Sequence, residues 1–260
     1  MIIGIVVLLA ALMIAGFFYL KGALGNIVGT LAAVLLALSM LGLIYHDTDH
    51  WGMKQVTTTT TREIYSLSGS DAAYGLLVKS EIGTDSSNYM FMYKSATDDT
   101  KATVNFVGNT KNVDMTSKTA TNSVSSWVKD ILKNETVETS KKSATYAQGD
   151  FAQAQITTQT TRWEWDSALA QAIFGVGGEQ GDLVSEKVTV DVPKDTWLVL
   201  TTAQVQKLES SAAALKAAAE KQAQADPQAA LAMQTLAKTD PSAYAKLQVA
   251  QIKQFLGLKE

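Results

Sequence analysis

The 260-residue sequence contains no cysteine, which excludes disulfides and a cysteine nucleophile and suits an exported domain that does not rely on disulfide bonds. Histidine is almost as scarce. Its two copies lie in "HDTDH", His46–His50, so a Ser–His–Asp arrangement would have to recruit one of them. There is no excess of basic charge either, with 25 acidic against 22 basic residues, and a nucleic-acid partner is not expected. Charge is nearly missing from the first forty-five residues, where Lys21 stands alone.

That uncharged region holds two long apolar runs, Ile2–Leu20 and Ala23–Tyr45. At about 1.5 Å per residue, each has the reach to cross a hydrocarbon core of roughly 30 Å. Leu, Ile, Val and Phe each favour insertion by about 0.3–0.6 kcal/mol at a helix centre, so both runs are predicted membrane spans. A cleaved signal peptide followed by one anchor is the competing interpretation. It fits less well, because the first run lacks a basic leading region and exceeds the usual apolar length.

Only Lys21 and Gly22 separate the runs, which implies a tight hairpin with both chain ends on one side of the membrane. The positive-inside tendency puts Lys21 in the cytoplasm and the rest of the chain outside. Gly25, Gly29, Ala33 and Ala37 recur every four residues on the second helix, with Ala11 and Ala15 on the first. This small-residue ridge would let the two helices approach closely, or dock against another membrane protein.

Beyond residue 45 the composition turns to threonine. "QVTTTTTREIY" (Gln55–Tyr65) returns as "QITTQTTRWEW" (Gln155–Trp165) with Gln, four Thr and one Arg in the same register. Thr is β-branched and suits a pleated surface, so both tracts are predicted strands with equivalent roles, neighbours or pseudo-symmetric partners. Val56, Thr58, Thr60, Arg62 and Ile64 share one face, and hydroxyl pairing across neighbouring strands is expected.

Tyr74–Ser95 predicts a hairpin around a polar "GTDSSN" turn, Ala102–Val107 a strand before a Gly108–Asn109 turn, and Asn122–Asn134 a helix. "DLVSEKVTVDVPKDTWLVL" predicts two more strands around Pro193. Thr110–Asn122 and Glu135–Gln148 are expected to be mobile loops. After Thr201 the composition shifts to Ala, Gln and Lys, with a capping box at Thr201/Gln204 and Asp–Pro helix starts at Asp226–Pro227 and Asp240–Pro241. Leu208, Leu215, Leu231, Leu236, Tyr244, Leu247 and Phe255 are the anchors expected on a thin apolar stripe. The tail, richer in Lys, could dock on its own more acidic domain or lie near anionic lipid.

Three constellations could carry chemistry. His46 and His50 would share a helix face if the second helix continued one turn, with Asp47 and Asp49 beside them as further metal ligands. The set lacks the third and fourth ligands of a stable structural site, and a polar interfacial cap with Tyr45 and Trp51 is the better explanation. Trp163 and Trp165 alternate on one strand face and could offer an aromatic platform, or pack as a core pair. The glycine-rich "FGVGGEQG" (Phe174–Gly181) lacks the pattern and context of a phosphate loop and is expected to be a flexible connection.

"HWGMKQVTTTTTREIYS" (His50–Ser66), "TTRWEW" (Thr160–Trp165) and "VPKDTWLVLTTAQ" (Val192–Gln204), together with the hairpin, resemble a domain of unknown function. It is found in two-span membrane proteins of Gram-positive, lactic-acid-type bacteria. The resemblance implies a membrane-anchored, extracellular β-rich domain and carries no catalytic residues.

The expected fold is α+β in three parts. Residues 1–45 form a transmembrane helical hairpin, 46–202 a β-rich extracytoplasmic domain (a sandwich or barrel-like sheet with one inserted helix), and 203–260 a helical tail. The expected function is a non-enzymatic accessory or interaction module of the cell envelope without a cofactor. Its expected partners are the lipid bilayer, an integral membrane protein such as a transporter, and a cell-wall component. The alternative is a metal-dependent or glycan-acting surface enzyme.

Overall fold

The structure, a computed structural model, describes residues 1–68, 72–82, 88–99, 101–105, 113–114, 141–175 and 177–258. The helix expected over Asn122–Asn134, the Gly108–Asn109 turn and most of the Thr110–Asn122 loop lie outside them. The chain is α+β and divides into two compact units, Met1–Thr58 with Thr160–Ser185, and Thr59–Gln159 with Glu186–Glu260. Strands β1 (Met53–Glu63), β7 (Gln155–Trp165) and β8 (Leu183–Pro193) each begin in one unit and end in the other.

The first unit is built on two apolar helices, α1 (Ile2–Phe18) and α2 (Ala23–Asp49). Their sequences contain no proline and are rich in Leu and Ala, which favour helix. Gly22, with φ of 75°, supplies the left-handed bend between them. The helices touch at glycine: a Cβ added to Gly16 would lie 2.5 Å from the Gly29 backbone nitrogen, so any side chain there forces them apart.

The packing seam differs from the expected ridge. Gly25 and Gly29 are buried, but the seam continues through Ala32, while Ala33 is only half-buried and Ala37 exposed. On α1 the buried small residue is Gly16; Ala11 is exposed and Ala15 half-buried. Repeated four-residue steps rotate about 40° each around a 3.6-residue helix, so Ala37 drifts off a seam that alternating steps of four and three would hold.

The helix α2 is long and apolar enough to cross a membrane; α1 is apolar but only 17 residues long. Large apolar side chains stay exposed along both, among them Val7, Leu8, Ile27, Leu31 and Leu38. The unit is completed by the end of β7, the short helix α3 (Ala168–Phe174) capped by Ser167, and the start of β8.

The second unit is layered. One sheet has the order β5-β4-β3-β2-β9, from Val113–Asp114, Lys101–Val104, Tyr89–Tyr93, Gly75–Glu81 and Trp197–Thr201. The expected Tyr74–Ser95 hairpin is its β2/β3 pair, antiparallel with Val78 opposite Met92, whereas β9 runs parallel to β2. Side chains alternate across this sheet as the period of two demands. Leu76, Val78, Met90, Met92, Leu198 and Leu200 form one core with Val205 and Val249 from the C-terminal helices. Leu77, Phe91 and Tyr93 form another with Ala144, Ile156, Val188, Val190 and Val192. Neither sheet closes into a barrel.

Residues 203–260 therefore share a core with the β-strands. They form α4 (Thr202–Ala225), α5 (Pro227–Thr239) and α6 (Pro241–Leu256). The expected starts are visible: Gln204 N–H donates to Thr201 Oγ1 at 3.3 Å and Thr201 N–H to Gln204 Oε1 at 2.7 Å, while Asp226 and Asp240 cap helices that open with proline. The expected anchors are met in part: Leu208 packs against the first core and Leu236 and Tyr244 are half-buried, while the side chain of Leu215 lies outside the described residues. Leu231, Leu247 and Phe255 are exposed, and the smaller Val205, Ala245 and Val249 are buried.

The second sheet has the order β1-β7-β8-β6, so the two threonine tracts are neighbours. Thr57 pairs its hydroxyl with Thr161 at 2.8 Å and Thr61 with Thr157 at 3.1 Å, which makes the strands antiparallel. Thr57 and Thr157 hold equivalent places in the repeat, as do Thr61 and Thr161. Each tract therefore meets the other reversed, about a local pseudo-twofold midway between the two pairs. The strand β6 (Lys142–Gly149) corrects the described part of the mobile loop expected over Glu135–Gln148, whose residues 135–140 lie outside the described residues; it pairs parallel to β8 with Tyr146 opposite Val190.

Candidate functional site

The residues singled out in the sequence converge in the first unit, in a different arrangement from the one expected. The helix α2 runs to Asp49, and His50 ends it in a left-handed conformation with φ of 54°. The Trp51 N–H then closes on the Tyr45 carbonyl at 3.3 Å. A non-glycine residue in this conformation is uncommon, and the ring of His50 gains a compensating contact: it stacks on Trp163 with centroids 4.3 Å apart and planes 9° from parallel.

One turn earlier His46 is buried, 6% exposed, between Trp165 at 5.5 Å and Phe174 at 4.6 Å. Trp163 and Trp165 lie two apart on one face of β7, while His46 lies in the last turn of α2 and His50 caps it. The strand period and the left-handed cap thus bring two imidazoles onto two indoles. The expected aromatic platform is half-buried, with an imidazole against a face of each indole.

The polar contacts of His46 set its role. Nδ1 lies 2.8 Å from the Trp51 carbonyl, which can only accept, so Nδ1 carries a hydrogen. Nε2 lies 2.9 Å from Glu179 Oε2. That separation is an ion-pair distance, but its alignment falls short of a hydrogen bond, since the buried Oε2 has no hydrogen-bond partner among the described residues. A buried carboxylate oxygen without a donor is costly, and the His46 ring is the polar group that stands against it.

The four-residue metal set does not assemble. Among the described residues no three His, Asp or Glu side chains come together as ligands, and both His46 nitrogens already face protein oxygens. Glu179 lies in the glycine-rich segment expected to be only a flexible connection, with α3 ending at Phe174 just before it. Arg162 Nη1 also holds this segment, donating to the Gly181 carbonyl at 2.6 Å.

The second unit contains a cleft of about 660 Å³ that the sequence did not suggest, with Lys79, Tyr146, Thr201, Gln204 and Lys253 among its lining residues. Lys79 Nζ donates to Tyr146 Oη at 2.6 Å and lies over the Tyr146 and Tyr89 rings at 4.3 and 4.9 Å. Lys253 Nζ donates to the Lys194 carbonyl at 3.2 Å. At the rim, hydrogen bonding to Asp150 and the charges of Asp150 and Asp195 push the Lys194 ammonium above its ordinary range.

Residues 21–208 match the family described as Domain of unknown function (DUF4811). The chain belongs to this family. The match covers the end of the α1–α2 turn, all of α2, both sheets and the start of α4, and so includes the His46–Glu179 contact. Among curated proteins and among solved structures, nothing matches the chain.

Proposed function

We propose that the chain is a membrane-anchored, non-catalytic interaction module of the bacterial cell envelope. In this reading α1 and α2 form a two-span hairpin, Lys21 faces the cytoplasm, and the β-rich part lies outside. The hairpin accompanies a larger membrane protein such as a transporter, and the outer part contacts an envelope component. The observation that carries this reading is α2 itself: 27 residues long, with only 11% of its apolar window buried. An apolar helix so little covered by its own chain calls for a non-aqueous solvent or a partner.

The metal-dependent enzyme loses support because both His46 nitrogens face protein oxygens and, among the described residues, no three ligating side chains come together. A glycan-acting enzyme loses support because each indole has an imidazole against one of its faces.

The absence of cysteine gives a direct test of topology. Ala23→Cys at the hairpin turn and Gln153→Cys in the β-rich part, both exposed, would be made separately and whole cells treated with an impermeant maleimide. Labelling at residue 153 only is the expected result. Labelling at residue 23 only would put the β-rich part in the cytoplasm and remove the envelope role.

A further inference from the structure

We propose that the cleft in the second unit binds the phosphoryl group of a small phosphate monoester. The inference rests on which charges in the cleft are already neutralised. Lys194 pairs with Asp150 at 3.0 Å, and Asp195 with Lys246 at 3.5 Å. Lys79 and Lys253 line the same space, and among the described residues neither has a carboxylate partner. Lys79 is half-buried, so its charge is only partly hydrated.

The neutral groups alongside are left as donors. The Tyr146 oxygen accepts from Lys79, which leaves its own O–H to donate. Gln204 uses Oε1 in the capping box and keeps its side-chain amide N–H groups; Thr201 Oγ1 accepts from Gln204 N–H and keeps its hydroxyl proton. The cleft therefore offers two ammonium groups and three kinds of neutral donor.

A dianion with several terminal oxygens matches that set. A carboxylate, with one charge and two oxygens, would leave one ammonium uncompensated. Val199 and Leu258 give the cleft an apolar wall for the organic portion, and its volume falls in the range of small-molecule sites, about 300–1,000 Å³. The inference concerns the second unit alone and does not depend on membrane sidedness.

The test is calorimetric titration of the full chain in nonionic detergent with glycerol 3-phosphate, and separately with short-chain phosphatidate. Saturable one-to-one binding of the first alone assigns a soluble ligand, and of the second alone a lipid headgroup. Gln204→Glu keeps an acceptor for the Thr201 N–H, so the helix start survives, but it places a carboxylate in the cleft and should abolish binding. Lys253→Gln should weaken binding about tenfold or more, and Lys187→Gln, on an exposed lysine away from the cleft, should leave it unchanged. No saturable binding of either compound, or equal binding by wild type and Gln204→Glu, would overturn the proposal.

Discussion

Leu24, Ile27, Leu31 and Leu38 on α2 are each more than half exposed, whereas Leu77, Val78, Leu198 and Leu200 in the second unit are completely enclosed. Both regions use the same residue types, so the difference lies in what each must exclude. Each large aliphatic side chain left in water forgoes about 1.5–3 kcal/mol, which a domain of ordinary marginal stability could not sustain along two whole helices. The second unit encloses Leu77, Val78, Leu198 and Leu200 within its two cores. The hairpin packs through glycine and turns its bulk outward, as helices do where lipid is as apolar as leucine.

The largest expected effect breaks that comparison directly. Phe91 is fully buried between the layers, and Phe91→Ala should cost about 3–5 kcal/mol in denaturant titration of the detergent-solubilised protein. Leu38→Ala, on the exposed face of α2, should change the same transition by less than about 0.5 kcal/mol. Comparable losses at the two sites would mean that α2 is covered by something within the solubilised particle, such as a second copy, and that the hairpin is not simply lipid-facing.

A smaller effect should come from the histidine cluster, where the first unit departs from its apolar character. His46→Ala removes the ring that stands 2.9 Å from the buried Glu179 oxygen and opens space between Trp165 and Phe174. The expected loss is about 1–3 kcal/mol in thermal or chemical unfolding. Glu179→Gln on that background should recover part of it, because the charge that needed compensation is gone. Strict additivity of the two substitutions would show that the pair is not coupled.

What the sequence disclosed, and what it hid, follows the same division. Local patterns were legible where one residue type repeated at a fixed period: the threonine tracts, the Tyr74–Ser95 hairpin, and the capped starts at Thr201, Asp226 and Asp240. Long-range pairing was legible for those two tracts and not elsewhere. The strand β6 shows a polar run with one fully buried small residue, Ala144, and its strand character comes from lying beside β8 some forty residues on. Glu179 is far from His46 in sequence and sits among glycines, so nothing local connects them.

The candidate metal set depended on α2 continuing through His50, whereas the chain turns left-handed there and the His50 ring stacks on Trp163. Of the expected C-terminal anchors, Leu208 packs on the core with Val205 and Val249, while Leu231, Leu247 and Phe255 stay exposed. In the cleft, Lys79 and Lys253 stand on separate elements, and no spacing in the sequence could relate them.

The smallest effect sharpens the comparison at high pH. Tyr93 lies in the core between the two sheets, and burial pushes its phenol above the ordinary value of 10.0, opposed in part by the nearby Arg62 charge. Burial likewise raises Tyr74, which packs against the other core. Because the folded state favours the neutral phenol, this contribution is fully present below about pH 10 and is lost as pH rises through the raised folded value. In the first unit, by contrast, Tyr19 and Tyr45 are both more than half exposed. Stability of the detergent-solubilised protein should therefore fall above about pH 10, and Tyr93→Phe, which has no phenol to ionise, should make that fall shallower while changing little at pH 7. An alkaline profile unaltered by Tyr93→Phe would place the sensitive group elsewhere and weaken the picture of the inter-sheet layer as the drier of the two environments.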